Sequence, residues 1–259
     1  MLPTLYISHG SPMTALMDSP ARDFLAGLGR QMERPKAILV ASAHWETHEP
    51  TVNAVRRNTT IHDFFGFPKA LFELEYDAPG APELALRVSA LLREAWLEPR
   101  LNMVRGLDHG AWVPLLLAYP AADIPVLQVS LQTELGPAHH VALGAALRTL
   151  RAEGVLVIGS GSFTHDLRRF RGGIPLDALE TSDVAAFSDW MDARILAADV
   201  AALVDYRQLA PFAADEHPTE EHLLPLHVAL GAAGENFTAK RLHRSVEFGF
   251  LRMDTYAFS

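Results

Sequence analysis

Twelve histidines and no cysteine leave this 259-residue chain with imidazoles, backed by Asp and Glu, as its only side chains suited to a transition-metal site. Thiolate metal sites, iron-sulfur clusters, disulfides and a Cys nucleophile are excluded outright. Three of the histidines follow short aliphatic runs. His9 comes after Thr4 to Ser8 in Ser8-His9-Gly10-Ser11-Pro12, and His44 comes after Ala37 to Ala43 in Ser42-Ala43-His44-Trp45-Glu46. His165 sits just past Val155 to Gly159, at the end of Gly159-Ser160-Gly161-Ser162-Phe163-Thr164-His165. A fourth group is His217-Pro218-Thr219-Glu220-Glu221-His222-Leu223-Leu224-Pro225. Thr219 could cap a helix whose first turn carries Glu221 and His222, with Pro225 tolerated near that start. Gathered imidazoles without thiolate suit Zn, Fe or Mn rather than Cu(I). Either Glu221 or His222 could complete a three-ligand site with open positions, the arrangement a catalytic metal needs.

The runs Thr4 to Ser8, Ala37 to Ala43, Ile124 to Ser130 and Val155 to Gly159 read as buried strands, each aliphatic or β-branched and bounded by Gly, Pro or polar residues. Helical periodicity fills the intervals. Leu84, Val88, Leu91 and Ala95 share one face, as do Leu143, Ala146, Leu147 and Leu150, and a helix from about Asp183 to Ala198 aligns Phe187, Met191 and Ile195 behind a Thr181-Ser182-Asp183 capping cluster. Alternating strands and helices predict an α/β single domain, residues 1–259, with a mainly parallel or mixed central sheet flanked by helices on both faces. Ligands of such sheets bind at the carboxyl ends of the strands, so His9, His44 and His165 are expected on one edge. Phe237 to Val246 and Phe248 to Phe258 read as extended and could add an antiparallel pair. The irregular, aromatic segment from about Asn58 to Pro82 suits a site wall or lid.

A lone His at a strand end is often a satisfied polar group bonded to a loop carbonyl. Convergence of three is what favours metal. His48, His139, His140, His227 and His243 are expected as surface polar positions or helix positions with no partner suggested by the sequence, whereas His62 and His109 have Gly, Asp and aromatic neighbours that suit a pocket wall or a buried turn. Familiar alternatives fail on spacing. His44-Trp45-Glu46 begins like a zinc-deaminase signature, but the Cys pair is absent. The zincin spacing is not met, the Gly159-Ser160-Gly161 loop lacks its third Gly, and no Gly-x-Ser-x-Gly elbow occurs.

A net charge of −9 removes the main source of affinity for polyphosphate, so no nucleic-acid partner is expected. The densest apolar stretch, Ala111 to Ala122, is broken by Pro114 and Pro120, so no membrane span is expected either. Met1 to Gly10 does not read as a signal peptide, and the expected compartment is the cytoplasm.

Taken in order, SHGSP (8–12), SAHWE (42–46), TIHDFFGFP (60–68), LDHGAWVPL (107–115), GSGSFTHDLR (159–168) and HPTEEHLLPL (217–226) resemble the DODA-type extradiol aromatic ring-opening dioxygenases, a branch of the class III extradiol dioxygenases. The likeness spans nearly the whole chain. It implies an α/β sheet, one mononuclear divalent metal, and cleavage of a DOPA-like catechol with O₂. It further implies His9, His44 and His222 as metal ligands, His165 as acid/base, and His109 as a supporting residue touching substrate or dioxygen. His62, Phe65 and Trp45 would contact substrate. The wider superfamily holds its metal with two His and a carboxylate, so Glu221, next to His222, stands as the alternative third ligand. Fe(II) is expected for activity, with Zn(II) able to occupy the same site in purified protein. The residues alone leave two other readings, a zinc-dependent hydrolase on the same cluster and a non-catalytic metal or aromatic-ligand binding protein. Titratable His109 and His165 in one pocket argue against passive binding. Nothing in the sequence points to a protein partner.

Overall fold

The aliphatic runs are buried along nearly their whole length, as strands covered on both faces must be. A computed structural model describes residues 1–170 and 172–259. Its strands are β1 (Thr4–Ser8), β2 (Ala37–Glu46), β3 (Thr51–Asn53), β4 (Arg100–Asn102), β5 (Val126–Leu131), β6 (Val155–Gly161), β7 (Ala239–His243), β8 (Val246–Glu247), β9 (Leu251–Arg252) and β10 (Thr255–Phe258). Eight of them form one mixed sheet in the order β4-β3-β5-β2-β6-β1-β10-β7, and β8 pairs with β9. The centre, β5-β2-β6-β1, is wholly parallel. The expected C-terminal antiparallel pair is present as β7 and β10, with β10 also lying antiparallel to β1.

Alternation along β2 separates the two faces. Ile38 and Val40 join α1 (Pro20–Leu28) and, through Trp112 and Leu115, the helix that follows Asp108. Leu39 and Ala41 join Val88 and Leu92 of α3 (Pro82–Glu94), Leu143 of α5 (Gly136–Leu147) and Val228 of α10 (Leu224–Ala233). Each fully buried Leu, Val or Ile contributes about 1.5–3 kcal/mol relative to exposure, so the layers hold through many such side chains. The periodicity expected around Asp183 to Ala198 is α6 (Ser182–Leu196), whose Phe187, Met191 and Ile195 are fully buried. The short helices α2 (Lys69–Phe72), α7 (Val200–Val204), α8 (Tyr206–Leu209) and α9 (Ala213–Glu216) carry the chain around the sheet. Among the described residues no helix is long and apolar enough to cross a membrane.

Two helices escape the sequence pattern. In α4 (His109–Ala118) every residue from His109 to Leu115 is buried, and α10 is buried at all ten positions, so neither has a polar face to create a period. α10 begins at Leu224, with Pro225 in its first turn as expected, but Glu221 and His222 lie in the turn before it rather than in its first turn. Thr219 does not cap it; the Thr219 hydroxyl donates to Glu221. β2 also runs three residues past Ala43, so His44 belongs to the strand.

His140 and His227 are helix positions, as expected, but both are fully buried and take partners that the sequence does not suggest. His140 bridges the Gln132 N–H and the Gly136 carbonyl, and His227 bonds the Leu203 carbonyl. Burial lowers the His140 pKa to about 3 and that of His227 to about 4, from 6.5. Between pH 6.5 and about 4 the unfolded chain therefore binds protons the native state does not, so this contribution is complete above pH 6.5 and is lost on acidification. Urea midpoints should fall from about pH 7.5 to about pH 5, and His227→Gln, which can still donate to Leu203, should shrink that fall. An unchanged pH slope in the variant would contradict the assignment.

Candidate metal centre

The parallel strands bring their carboxyl ends level, Ser8 opposite Gly161 and Ser42 opposite Ser160. His9 follows Ser8 directly, and its N–H donates to the Gly161 carbonyl at 2.9 Å. His44 depends on an irregularity. β2 pairs Ala41 with Val129 and then Glu46 with Leu131, five residues advancing where β5 advances two. A bulge of this kind re-aims side chains, and here it carries His44 to the strand ends. His222 arrives from the turn before α10, which docks on β6 through a 2.9 Å bond from the Ser162 N–H to the His222 carbonyl. A Cβ at Gly161 would lie 2.0 Å from that carbonyl oxygen, so only glycine lets the segment approach.

One nitrogen from each of His9, His44 and His222 lies within 4.8 Å of the others. His9 Nε2 and His44 Nε2 are 3.0 Å apart. Two nitrogens each about 2.1 Å from a shared ion at a right angle would be about 3 Å apart. Hydrogen bonding sets where the lone pairs point. Ser160 Oγ gives its proton to the Gly110 carbonyl, so at 3.0 Å from His9 Nδ1 it accepts the Nδ1 proton. The Glu221 carboxylate accepts the Nδ1 proton of His222 at 2.8 Å. Both rings are left with a bare Nε2, the form a metal requires. Burial, then the neighbouring imidazoles, hold the pKa of His9 and of His222 well below 6.5. Burial and then His109 lower His44 to about 4, against the opposing pull of Asp108 and Asp63. All three are neutral donors at pH 7, and the donor set fits a divalent ion. Glu221 groups instead with His165 and His222, behind the His222 ring.

His109 starts α4, and its ring centroid lies 3.9 Å from that of His44. Asp63 ties them together. Its Oδ1 accepts the His109 backbone N–H at 3.0 Å and lies 3.0 Å from His109 Nδ1, off the line a hydrogen bond needs, while Oδ2 is 3.7 Å from His44 Nδ1. Burial alone would raise the Asp63 pKa; contact with His109 and His44 outweighs it and brings the carboxyl down to about 2. His165 stacks on His222, centroids 3.4 Å apart and planes 14° apart, with its Nδ1 4.0 Å from Glu221. Burial lowers its pKa to about 4, partly offset by Glu221.

The residues expected at the substrate fall in different places. His62 donates to or accepts nothing from the cluster; its Nε2 meets the Leu74 carbonyl at 3.0 Å and its ring packs on Phe64, Phe72 and Trp112. Phe65 is 92% exposed, and it is the neighbouring Phe64 that packs edge-on to His109, 5.8 Å away. Trp45 is buried beneath the Arg105 guanidinium, which also donates to the His44 carbonyl and to Asp108. It braces the bulged strand rather than presenting an open face. Sequence reasoning passed over Asp63, Phe64, Asp108 and Ser160. Asp63 and Asp108 each precede or follow a singled-out His by one position, the one signal that marked them.

Gly110 sits against the cluster. A Cβ there would meet Ser42 Oγ at 2.4 Å, His44 Cδ2 at 3.0 Å and His9 Cε1 at 3.2 Å. Gly110→Ala is therefore expected to spread His9 and His44 and to weaken metal binding by at least about 10-fold, the scale on which supporting residues act. Isothermal titration of the metal-free variant checks this; wild-type affinity would show that the rings have room.

Comparison with known proteins shows the family. Residues 3–253 match the family described as the catalytic LigB subunit of aromatic ring-opening dioxygenase. A Beta vulgaris protein named 4,5-DOPA dioxygenase extradiol is 46% identical over 260 residues, covering 99% of this chain and 96% of that protein. An Escherichia coli K12 protein of the same name is 37% identical over 246 residues, 89% of this chain and 85% of that one. The crystal structure of an uncharacterized E. coli K12 protein matches with a TM-score of 0.83 at 32% identity, covering 100% of both chains.

Proposed function

The chain belongs to the LigB family of aromatic ring-opening dioxygenases and is an extradiol ring-cleavage enzyme, and on that premise we propose that it opens a DOPA-like catechol with O₂ at a mononuclear Fe(II) held by His9, His44 and His222. The observation that carries this reading is the convergence of three neutral imidazoles, two with their Nδ1 protons committed elsewhere, beside two further imidazoles, His109 and His165. Relatives named for DOPA cleavage support the substrate class. The catalytic unit is the single domain 1–259.

Bound Fe(II) would supply a template and an electron path between catechol and O₂, two reactants otherwise slow to combine. This chain's own residues do the rest. His165, neutral at pH 7, takes a proton from a catechol hydroxyl and later returns one during ring opening. Glu221, 4.0 Å from His165 Nδ1, favours the protonated imidazole that forms in between. His109, held at the start of α4 by Asp63, offsets charge developing on a substrate oxygen. His222 rather than Glu221 is the third ligand, because Glu221 is occupied in accepting the His222 Nδ1 proton. His62 and Phe64 shape the aromatic wall, with exposed Phe65 at its rim.

Product analysis with isotopically labelled O₂ tests the proposal. Incubation with Fe(II) and DOPA should give a yellow ring-opened product containing both atoms of one O₂ molecule; incorporation of oxygen from water alone would point to a hydrolase.

A further inference from the structure

The hydrogen bond that fixes the tautomer of His9 depends on a proline inside the helix that starts at His109. α4 contains Pro114 in its interior. In a helix the N–H of residue 114 would bond the carbonyl of residue 110, but proline has no N–H. The Gly110 carbonyl is thereby freed of its helical partner. It accepts instead from Ser160 Oγ. A carbonyl oxygen cannot donate, so the single hydroxyl proton of Ser160 is committed to Gly110, and toward His9 Ser160 presents only lone pairs. His9 Nδ1, 3.0 Å away, must then carry the ring proton, which leaves Nε2 bare and facing His44 Nε2.

We propose that Pro114, the Gly110 carbonyl and Ser160 form a positioning relay that holds His9 in the Nδ1-protonated tautomer its role as metal ligand requires. The inference rests on the reading of His9 as a ligand and adds to it two residues, Ser160 and Pro114, that touch neither metal nor substrate. Ser160 is fully buried in β6 between β1 and β2, with its backbone paired to Ile7 and Ser42, so its hydroxyl is held in place by the sheet. Pro114 is otherwise a poor choice for a helix interior, where it removes a backbone hydrogen bond and crowds the preceding turn. The relay accounts for its presence.

The test uses the full-length protein in two states. In the metal-free protein, ¹⁵N imidazole spectra should show His9 protonated on Nδ1. Ser160→Ala removes the acceptor and should shift His9 toward the Nε2-protonated form, with Zn(II) and Co(II) affinity lowered about 10- to 100-fold. Pro114→Ala restores a backbone donor to Gly110, releases the Ser160 hydroxyl to turn toward His9, and should produce a smaller change of the same sign while leaving the melting temperature unchanged or raised. Because Pro114 acts only through Ser160, adding Pro114→Ala to Ser160→Ala should change metal affinity no further. Additive losses, or a His9 spectrum unmoved by both variants, would overturn the relay. Should Ser160→Ala fold poorly, the Pro114→Ala spectrum decides alone. Failure of the ligand reading itself looks different: His9→Ala would then bind metal as the wild type does, whatever the tautomer spectra show.

Discussion

His9→Ala and His44→Ala are each expected to abolish stoichiometric binding of a divalent metal. Either change leaves two imidazoles of the His9, His44 and His222 group, fewer than the three protein ligands that a catalytic metal site of this kind uses. Removing a supporting partner costs roughly 10- to 100-fold in affinity, so deleting a direct ligand should cost well beyond that. The loss need not come from unfolding. Both residues lie at the carboxyl ends of strands whose pairing is carried by backbone bonds, which the loss of one imidazole leaves in place. Metal analysis after dialysis, with far-UV circular dichroism as the folding control, reads the result. Full occupancy in either variant would count against the ligand assignment.

His165→Ala is expected to keep the metal and to lower turnover by on the order of 100-fold or more, the typical contribution of a positioned acid/base. Its ring lies flat on His222 at 3.4 Å, close enough to serve the same small volume without belonging to the His9 and His44 group. With a pKa lowered to about 4 by burial, it is unprotonated at pH 7 and free to accept a proton. The measurement is kcat alongside metal content. Near-normal turnover at full occupancy would remove His165 from the proton-transfer role.

The positions of His9, His44 and His165 were legible because a parallel sheet obliges the carboxyl ends of its strands to share an edge, and aliphatic runs mark where strands end. The sheet, its covering helices α3, α5 and α6, and the C-terminal antiparallel addition followed from the same patterning. Other features left no such trace. α4 and α10 are buried all round, which erases the period that betrays a helix. The bulge that turns His44 inward depends on pairing with β5, a partner more than eighty residues away. Asp63 and Ser160 are ordinary residue types whose importance comes from what they touch. His140 and His227 could not be told from surface histidines, since their partners are carbonyls and an N–H of the backbone, supplied by the fold. The aromatic segment from Asn58 to Pro82 is irregular apart from the short helix α2 and the start of α3 at Pro82, and which of Phe64 and Phe65 faces His109 is set by the turn geometry alone.

The central claim is that this His cluster, loaded with Fe(II), consumes O₂ to open a catechol. Anaerobic reconstitution of stripped protein with Fe(II), and separately with Zn(II), followed by admission of O₂ in the presence of DOPA and a panel of simple catechols, tests it most directly. Fe(II)-dependent O₂ uptake with a yellow product, and none with Zn(II), is the predicted result. No uptake with any catechol, despite one bound Fe(II) per chain, would contradict it.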